Sequence, residues 1–245
     1  MPSPKTPRYG FAIDPKRCID CRACLVACRA EWDTPLGQTR IWVRDSGISG
    51  QFPNLKQQFV PYQCQHCENP PCVAACPTGA TYKRDDGLVV IDEDACIGCG
   101  FCITACPYQV RFINTATGKA DKCSGCYPRV DRGEPPACVE TCLGGARMFG
   151  DFNDPQSTVS QAIQGRKVTR LITDKVDTGP MVYYLDDIAN PATVEPIPSS
   201  LPSAEEFWQK AALPFVKGAI ALAFVGQMGA FIMQLVKGER EFEEM

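Results

Sequence analysis

The chain has no G-x-G-x-x-G fingerprint following a strand pattern, so it offers no dinucleotide or flavin site of its own, and a self-sufficient small-substrate reductase is a weak expectation. It has no basic excess. Its 25 Lys and Arg against 28 Asp and Glu give a net charge of −3, and thiolate ligation would make the balance more negative, so nucleic acid is not an expected partner. The opening residues, Met1 to Phe11, are proline-rich and polar. They contain neither an apolar h-region nor paired arginines, so neither a secretory nor a twin-arginine signal is expected there. Histidine is reduced to His66 alone.

What the chain has instead is cysteine: sixteen in 245 residues, in four groups of four. These are Cys18, Cys21, Cys24, Cys28; Cys64, Cys67, Cys72, Cys76; Cys96, Cys99, Cys102, Cys106; and Cys123, Cys126, Cys138, Cys142. The first and third follow C-x2-C-x2-C-x3-C, the run that wraps a 4Fe-4S cube, and Cys76 and Cys106 precede proline as in bacterial ferredoxins. Cysteines two residues apart on a tight loop converge on one small cube. The fourth lies about one helical turn further on, projects away, and ligates the neighbouring cube, as in two-cluster ferredoxins. Disulfides fit poorly, since repeated C-x-x-C pairs would force strained local bridges. A tetrahedral zinc site does not account for triple runs with a fourth cysteine at x3. Sixteen thiolates suffice for four 4Fe-4S clusters with none left over.

The fold expected is α+β, a duplicated 2×(4Fe-4S) bacterial ferredoxin-like domain with loop insertions and a C-terminal single transmembrane helix. Thr81–Arg84, a turn at Asp85-Asp86-Gly87 and Leu88–Ile91 predict a hairpin, and Val110–Asn114 with Lys119–Lys122 predict a second. The segment Cys76-Pro-Thr-Gly-Ala80 is echoed by Cys142-Leu-Gly-Gly-Ala146, a degenerate internal repeat. An insert from Arg29 to Gln63 holds one expected strand, Arg40–Arg44, and a Gly/Ser/Pro-rich surface loop. The loop between Cys126 and Cys138 is placed for partner contacts. Further on, Val159–Gln164 reads as a short helix, with strands at Val168–Ile172 and Met181–Leu185.

The expected divisions are an electron-transfer domain at 8–188, a proline-rich linker at 189–210, a transmembrane helix at 211–237 and a charged tail at 238–245. Leu213 to Val236 is a 24-residue stretch whose one charge is Lys217, long enough for a hydrocarbon core of about 30 Å. Phe207 and Trp208 suit the interface before it. The alternative is a helix buried against a partner. Ala219, Ala223, Gly226 and Ala230 form a small-residue stripe suited to close packing on another membrane helix, although such residues are common in spans generally. The span holds no histidine, so it cannot ligate a b-type haem by itself. Lys210 and Lys217 on one side and Lys237 and Arg240 on the other leave its orientation open.

The run Cys64-Gln-His-Cys67-Glu-Asn-Pro-Pro-Cys72, closing with Cys76-Pro-Thr-Gly-Ala80, resembles the four-cluster electron-transfer subunits of respiratory molybdopterin oxidoreductases, membrane-bound hydrogenases and related quinone reductase complexes. The resemblance covers about residues 8 to 188, with Val182-Tyr-Tyr-Leu185 as the closing strand. It implies a crossed pairing of motifs. Cys18, Cys21, Cys24 and Cys142 would hold one cluster, and Cys28, Cys123, Cys126 and Cys138 its neighbour. Cys64, Cys67, Cys72 and Cys106 would hold a third, and Cys76, Cys96, Cys99 and Cys102 the fourth. The inner pairing also follows from ferredoxin logic, whereas the outer one rests on the resemblance. Cys28 and Cys142 lack the following proline of the family pattern.

The function implied is electron transfer, with no catalytic residue in this chain. The expected partners are a large catalytic subunit of the molybdopterin or hydrogenase class, an integral membrane quinone-binding subunit, and in some complexes a cytochrome c. The expected location is the bacterial inner membrane, with the cluster domain in the periplasm after co-export with a signal-bearing partner, or else in the cytoplasm. A soluble polyferredoxin docked to a membrane partner is the rival. Arg22, Lys83, Arg111 and Lys122 are candidates to tune the clusters or else ordinary solvated charges. His66 reads as a local hydrogen-bonding or packing residue rather than a ligand, and Trp32 and Trp42 as core or interface residues rather than electron relays.

Overall fold

The computed structural model of the chain describes residues 6–172, 177–188, 222–233 and 235. They divide between two compact units, Met1–Ser199 and Ser200–Met245. The first unit opens with β1 (Tyr9–Ile13), α1 (Ala23–Trp32) and the strands β2 (Ile41–Asp45) and β3 (Phe59–Gln63). It continues with α2 (Pro71–Ala74), β4 (Thr81–Lys83), β5 (Val89–Ile91), α3 (Phe101–Thr104), β6 (Phe112–Ile113) and β7 (Ala120–Asp121). It closes with α4 (Tyr127–Val130), α5 (Ala137–Glu140), β8 (Arg147–Asp151), α6 (Thr158–Ile163), β9 (Val168–Thr169) and β10 (Val182–Leu185).

Both expected hairpins form. β4 pairs antiparallel with β5, Thr81 opposite Ile91, and β6 pairs with β7, Phe112 opposite Asp121. The first turn is set by its own side chain: Asp86 Oδ1 accepts the Leu88 N–H at 3.0 Å, and Gly87 takes φ +90°. The helix expected at Val159–Gln164 is α6, the strand expected at Arg40–Arg44 is β2, and that expected at Met181–Leu185 is β10. Strand β9 is shorter than its apolar pattern, ending at Thr169. β3 lies in the insert whose composition predicts surface loop. It runs antiparallel to β2 with Asp45 opposite Phe59 and Ile41 opposite Gln63, burying Val60 and Tyr62.

A four-stranded sheet of order β8-β1-β10-β9 ties the start of the unit to its end. β1 is antiparallel to β8, with Ile13 opposite Arg147, and parallel to β10, with Phe11 opposite Val182. Flanked on both edges, β1 buries Phe11, Ala12 and Ile13 completely. This apolar set is continuous with sulfur. Phe11, Ile13, Ile41, Val182 and Tyr184 share one buried cluster with Cys24, Cys28, Cys64, Cys67, Cys123 and Cys138. A second, smaller cluster joins Cys72, Cys96 and Cys102 to Ala80, Val89 and Ala120.

In the second unit, residues 222–233 and 235 are helical and exposed, Leu222, Phe224, Met228 and Phe231 among them. The expected span, Leu213 to Val236, lies only in part within the described residues, and no helix among these is long and apolar enough to cross a membrane. The linker at 189–210 and the tail at 238–245 lie outside the described residues.

Candidate metal centres

Each cysteine run adopts the same local design. The third cysteine is the second residue of a short helix: Cys24 in α1, Cys72 in α2, Cys102 in α3 and Cys138 in α5. The residue before the second cysteine is left-handed in all four runs: Asp20 (φ 51°), His66 (φ 44°), Gly98 (φ 69°) and Gly125 (φ 71°). That conformation curls the C-x-x-C segment, and its cost for Asp20 and His66 is met only because the surrounding fold imposes it. The repeated Gly79 (φ 69°) and Gly145 (φ 58°) follow the fourth cysteines of the second and fourth runs. Beyond them, Thr81 N–H reaches Cys76 Sγ at 3.4 Å and Ala146 N–H reaches Cys142 Sγ at 3.2 Å. The degenerate sequence repeat is therefore a repeat of sulfur-directed donors.

None of the sixteen cysteines is in a disulfide; ten are buried, four half-buried, and Cys21 and Cys99 exposed. The fold brings the runs together in pairs. α1 packs on α5, and α2 on α3. Cys18, Cys21, Cys24 and Cys142 line one cavity. Cys64, Cys67, Cys72 and Cys106 line another. Cys28 lies within electrostatic range of Cys123, Cys138 and Cys126. Cys96 and Cys102 share their apolar cluster with Cys76 packed against it. Cys99, next in that loop, stands at the surface.

The donor set fits iron–sulfur clusters. Besides backbone N–H groups, sulfur receives hydrogen bonds from Trp32 Nε1 (Cys126, 3.4 Å), Thr178 Oγ1 (Cys67, 3.2 Å) and an Arg111 guanidinium nitrogen (Cys72, 3.0 Å). Among the described residues no three His, Cys, Asp or Glu groups close on a single metal ion. A zinc would need sulfurs about 3.8 Å apart, whereas a cube spreads its ligands around four irons. Burial, reinforced by neighbouring sulfurs, pushes the Cys67 and Cys138 thiols up to about 12 and Cys123 up to about 11. For Cys138 the Arg147 charge works the other way. Empty, these sites would hold neutral thiols, and thiolates persist there only beside the positive charge of iron. At Cys76 the slight burial acts upward but is outweighed by hydrogen bonds from Thr81, Thr78 and Ala80, which hold its thiol below the ordinary range.

His66 is completely buried, and its Nδ1 accepts the Val89 N–H at 3.1 Å, which fixes the tautomer with hydrogen on Nε2. Burial, then the charges of Lys122 and Arg111, hold it neutral. Trp32 does more than pack: its indole faces Cys126 while the Arg40 guanidinium covers the ring at 4.2 Å from its centroid. Arg22 pairs with Asp20 at the surface and Lys83 is exposed, whereas Arg111 and Lys122 are buried. Trp32 and Thr178 stand 94 and 111 residues from the sulfurs they serve, and neither they nor Arg147 carry a local sequence signal of that role.

Fold and sulfur geometry together define a 4Fe-4S dicluster protein, duplicated in one chain. Models of the 4Fe-4S dicluster domain match residues 11–83 and 55–152. The chain is 43% identical over 180 residues to the B component of tetrathionate reductase from Salmonella typhimurium, covering 73% of this chain and 72% of that protein. It is 40% identical over 211 residues to the B component of selenate reductase from Mesobacillus selenatarsenatis, covering 73% and 72%. It is 44% identical over 153 residues to the electron transfer subunit of thiosulfate reductase from Salmonella typhi, covering 62% and 80%. The chain belongs to this family of iron–sulfur subunits of oxidoreductase complexes, non-catalytic on their own. Its two dicluster domains and sixteen cysteines fit four 4Fe-4S clusters.

Proposed function

We propose that the chain carries electrons, one at a time, between a large catalytic subunit of the molybdopterin or hydrogenase class and a membrane subunit that binds quinone. In this scheme Cys18, Cys21, Cys24 and Cys142 hold the first cluster, and Cys28, Cys123, Cys126 and Cys138 the second. Cys64, Cys67, Cys72 and Cys106 hold the third, and Cys76, Cys96, Cys99 and Cys102 the fourth. The observation that supports this most is the pair of sulfur-lined cavities. Cys142 lines one with three cysteines of the first run, and Cys106 lines the other with three of the second.

When bound, the clusters supply reversible one-electron chemistry. The protein's part is to place sulfurs, direct N–H groups at them and exclude water from most of them. The order of the sets follows from neighbours: Cys138 is within electrostatic range of Cys24, and Cys123 of Cys64. The two end sets each contain an exposed cysteine, Cys21 and Cys99, and it is there that a partner's redox centre can come close. The apolar stretch from Leu213 anchors the chain by a single span in the inner membrane, with the cluster domain on the periplasmic side after co-export with a signal-bearing partner.

Anaerobic purification of the complex through this chain in mild detergent tests the scheme. About sixteen irons per chain, four titrating 4Fe-4S signals by EPR and a co-purifying catalytic subunit are expected. Zinc, far fewer irons or a chain without partners would overturn it. Carbonate extraction leaves a spanning chain in the membrane pellet, and release into the supernatant would overturn the anchor.

A further inference from the structure

Three cations lie deep in the cluster unit without a carboxylate partner among the described residues. Arg147 and Lys122 are each 2% exposed and Arg111 is 5% exposed. Arg40, equally buried, is different: it is neutralised by Asp121 at 2.8 Å. A buried charge left unpaired is strongly destabilising, so each of the three needs negative charge nearby.

The negative charge in reach is sulfur, and each cation reaches sulfurs of two adjacent sets. Arg147, the first residue of β8, lines the cavity of Cys18, Cys21, Cys24 and Cys142, and lies within electrostatic range of Cys138 and Cys24. One guanidinium nitrogen donates to Gln63 Oε1; Nε and the other terminal nitrogen have no acceptor among the described residues. Lys122 Nζ donates to the Val89 and Cys123 carbonyls, the latter at 2.7 Å, and lies within range of Cys64 and Cys123. Arg111 donates one nitrogen to Cys72 Sγ at 3.0 Å and another to Thr81 Oγ1 at 3.2 Å, and lies within range of Cys72, Cys64 and Cys102.

We infer that Arg147, Lys122 and Arg111 stand one at each of the three gaps between successive clusters, and that their charges raise the reduction potentials of the clusters on either side. This rests on the ligand sets proposed above. An electron arriving at a four-thiolate site adds negative charge to a site that is already negative, and a fixed cation in a water-poor interior favours that reduced state. One cation shared by two sites raises both together, and the two inner clusters, each with a cation on both sides, are raised more than the end ones.

EPR-monitored redox titration of the purified complex, with iron content measured alongside, tests this. In Arg147→Gln the two clusters at that end should show at least a tenfold lower reduced-to-oxidised ratio at fixed potential, about 59 mV for a one-electron couple. The other two should keep their midpoints. Arg111→Gln should lower the complementary pair, and Arg147→Lys and Arg111→Lys should restore most of each shift. Unchanged midpoints at full iron content, both Gln variants moving the same signals, or Lys moving them as far as Gln would overturn the inference. If Arg147→Gln assembles fewer clusters, Arg111→Gln decides by the same criteria. Loss of iron from all four variants would make the residues structural and also overturn it. Wild-type protein lacking four titrating signals would instead overturn the ligand sets.

Discussion

At the scale of single residues, the left-handed position before each second cysteine separates backbone preference from packing. Gly98 (φ +69°) would place a Cβ 2.3 Å from the Gly118 carbonyl oxygen, whereas Gly79, with the same φ, has open space around it. Gly79→Ala therefore meets only the left-handed backbone penalty, about 1 kcal/mol. Gly98→Ala adds a backbone collision at the edge of the third run and is expected to cost more than about 2 kcal/mol, a drop of roughly 4–8 °C in Tm for a unit of this size. Thermal unfolding of the loaded protein checks the ranking, and equal losses in the two variants would contradict the contact geometry. Asp20 and His66 take the equivalent position without glycine's conformational freedom, so there the left-handed conformation is set by the surrounding fold rather than announced by a glycine.

Among the elements, the hairpins β4–β5 and β6–β7 were legible because their turns carry Asp, Gly and Asn signals within a few residues. The sheet β8-β1-β10-β9 was not. Its central pairing joins Phe11 to Val182, and no local pattern names a partner so distant in the chain. β3 is hidden in the sequence because Phe59–Gln63 follows a Gly/Ser/Pro-rich stretch and contains Pro61, yet its inner residues bury against β2. The sheet's far edge is clipped by charge: Arg166 bridges Asp14 and Asp186, at 2.9 and 2.8 Å, and Lys16 reaches Asp186 at 2.8 Å. Hydrogen bonds from Lys16 and then Arg166 hold the Asp186 carboxyl below the usual carboxylate range. Because the folded value is depressed, this contribution is fully present above the unfolded value of about 3.9, declines as pH falls below it, and is gone once pH has passed the lower folded value. The stability difference between wild type and Asp186→Asn should accordingly hold steady down to about pH 4.5, shrink as pH falls below about 4, and shrink in high salt. Parallel curves over that range would show that the clip contributes nothing.

For the whole molecule, the buried core and the metal sites are one object, since both apolar clusters contain candidate ligand cysteines. Anaerobic removal of iron leaves buried thiols around empty cavities, and the expected result is loss of cooperative unfolding and of near-ultraviolet circular dichroism rather than a modest fall in Tm. An apoprotein that still unfolds sharply would show that the apolar framework stands alone. The sequence by itself determined the class of chemistry, because cysteine spacing is local: two residues between thiols and three before the fourth dictate loop, helix turn and cluster type. Only the tertiary structure decided which runs face each other, that Trp32 and Thr178 donate to sulfur, and that Arg147, Lys122 and Arg111 are buried among cysteine sulfurs. Those contacts join residues far apart in the chain, and they are selected by the packing of strands and short helices, which leaves no periodic trace in the sequence.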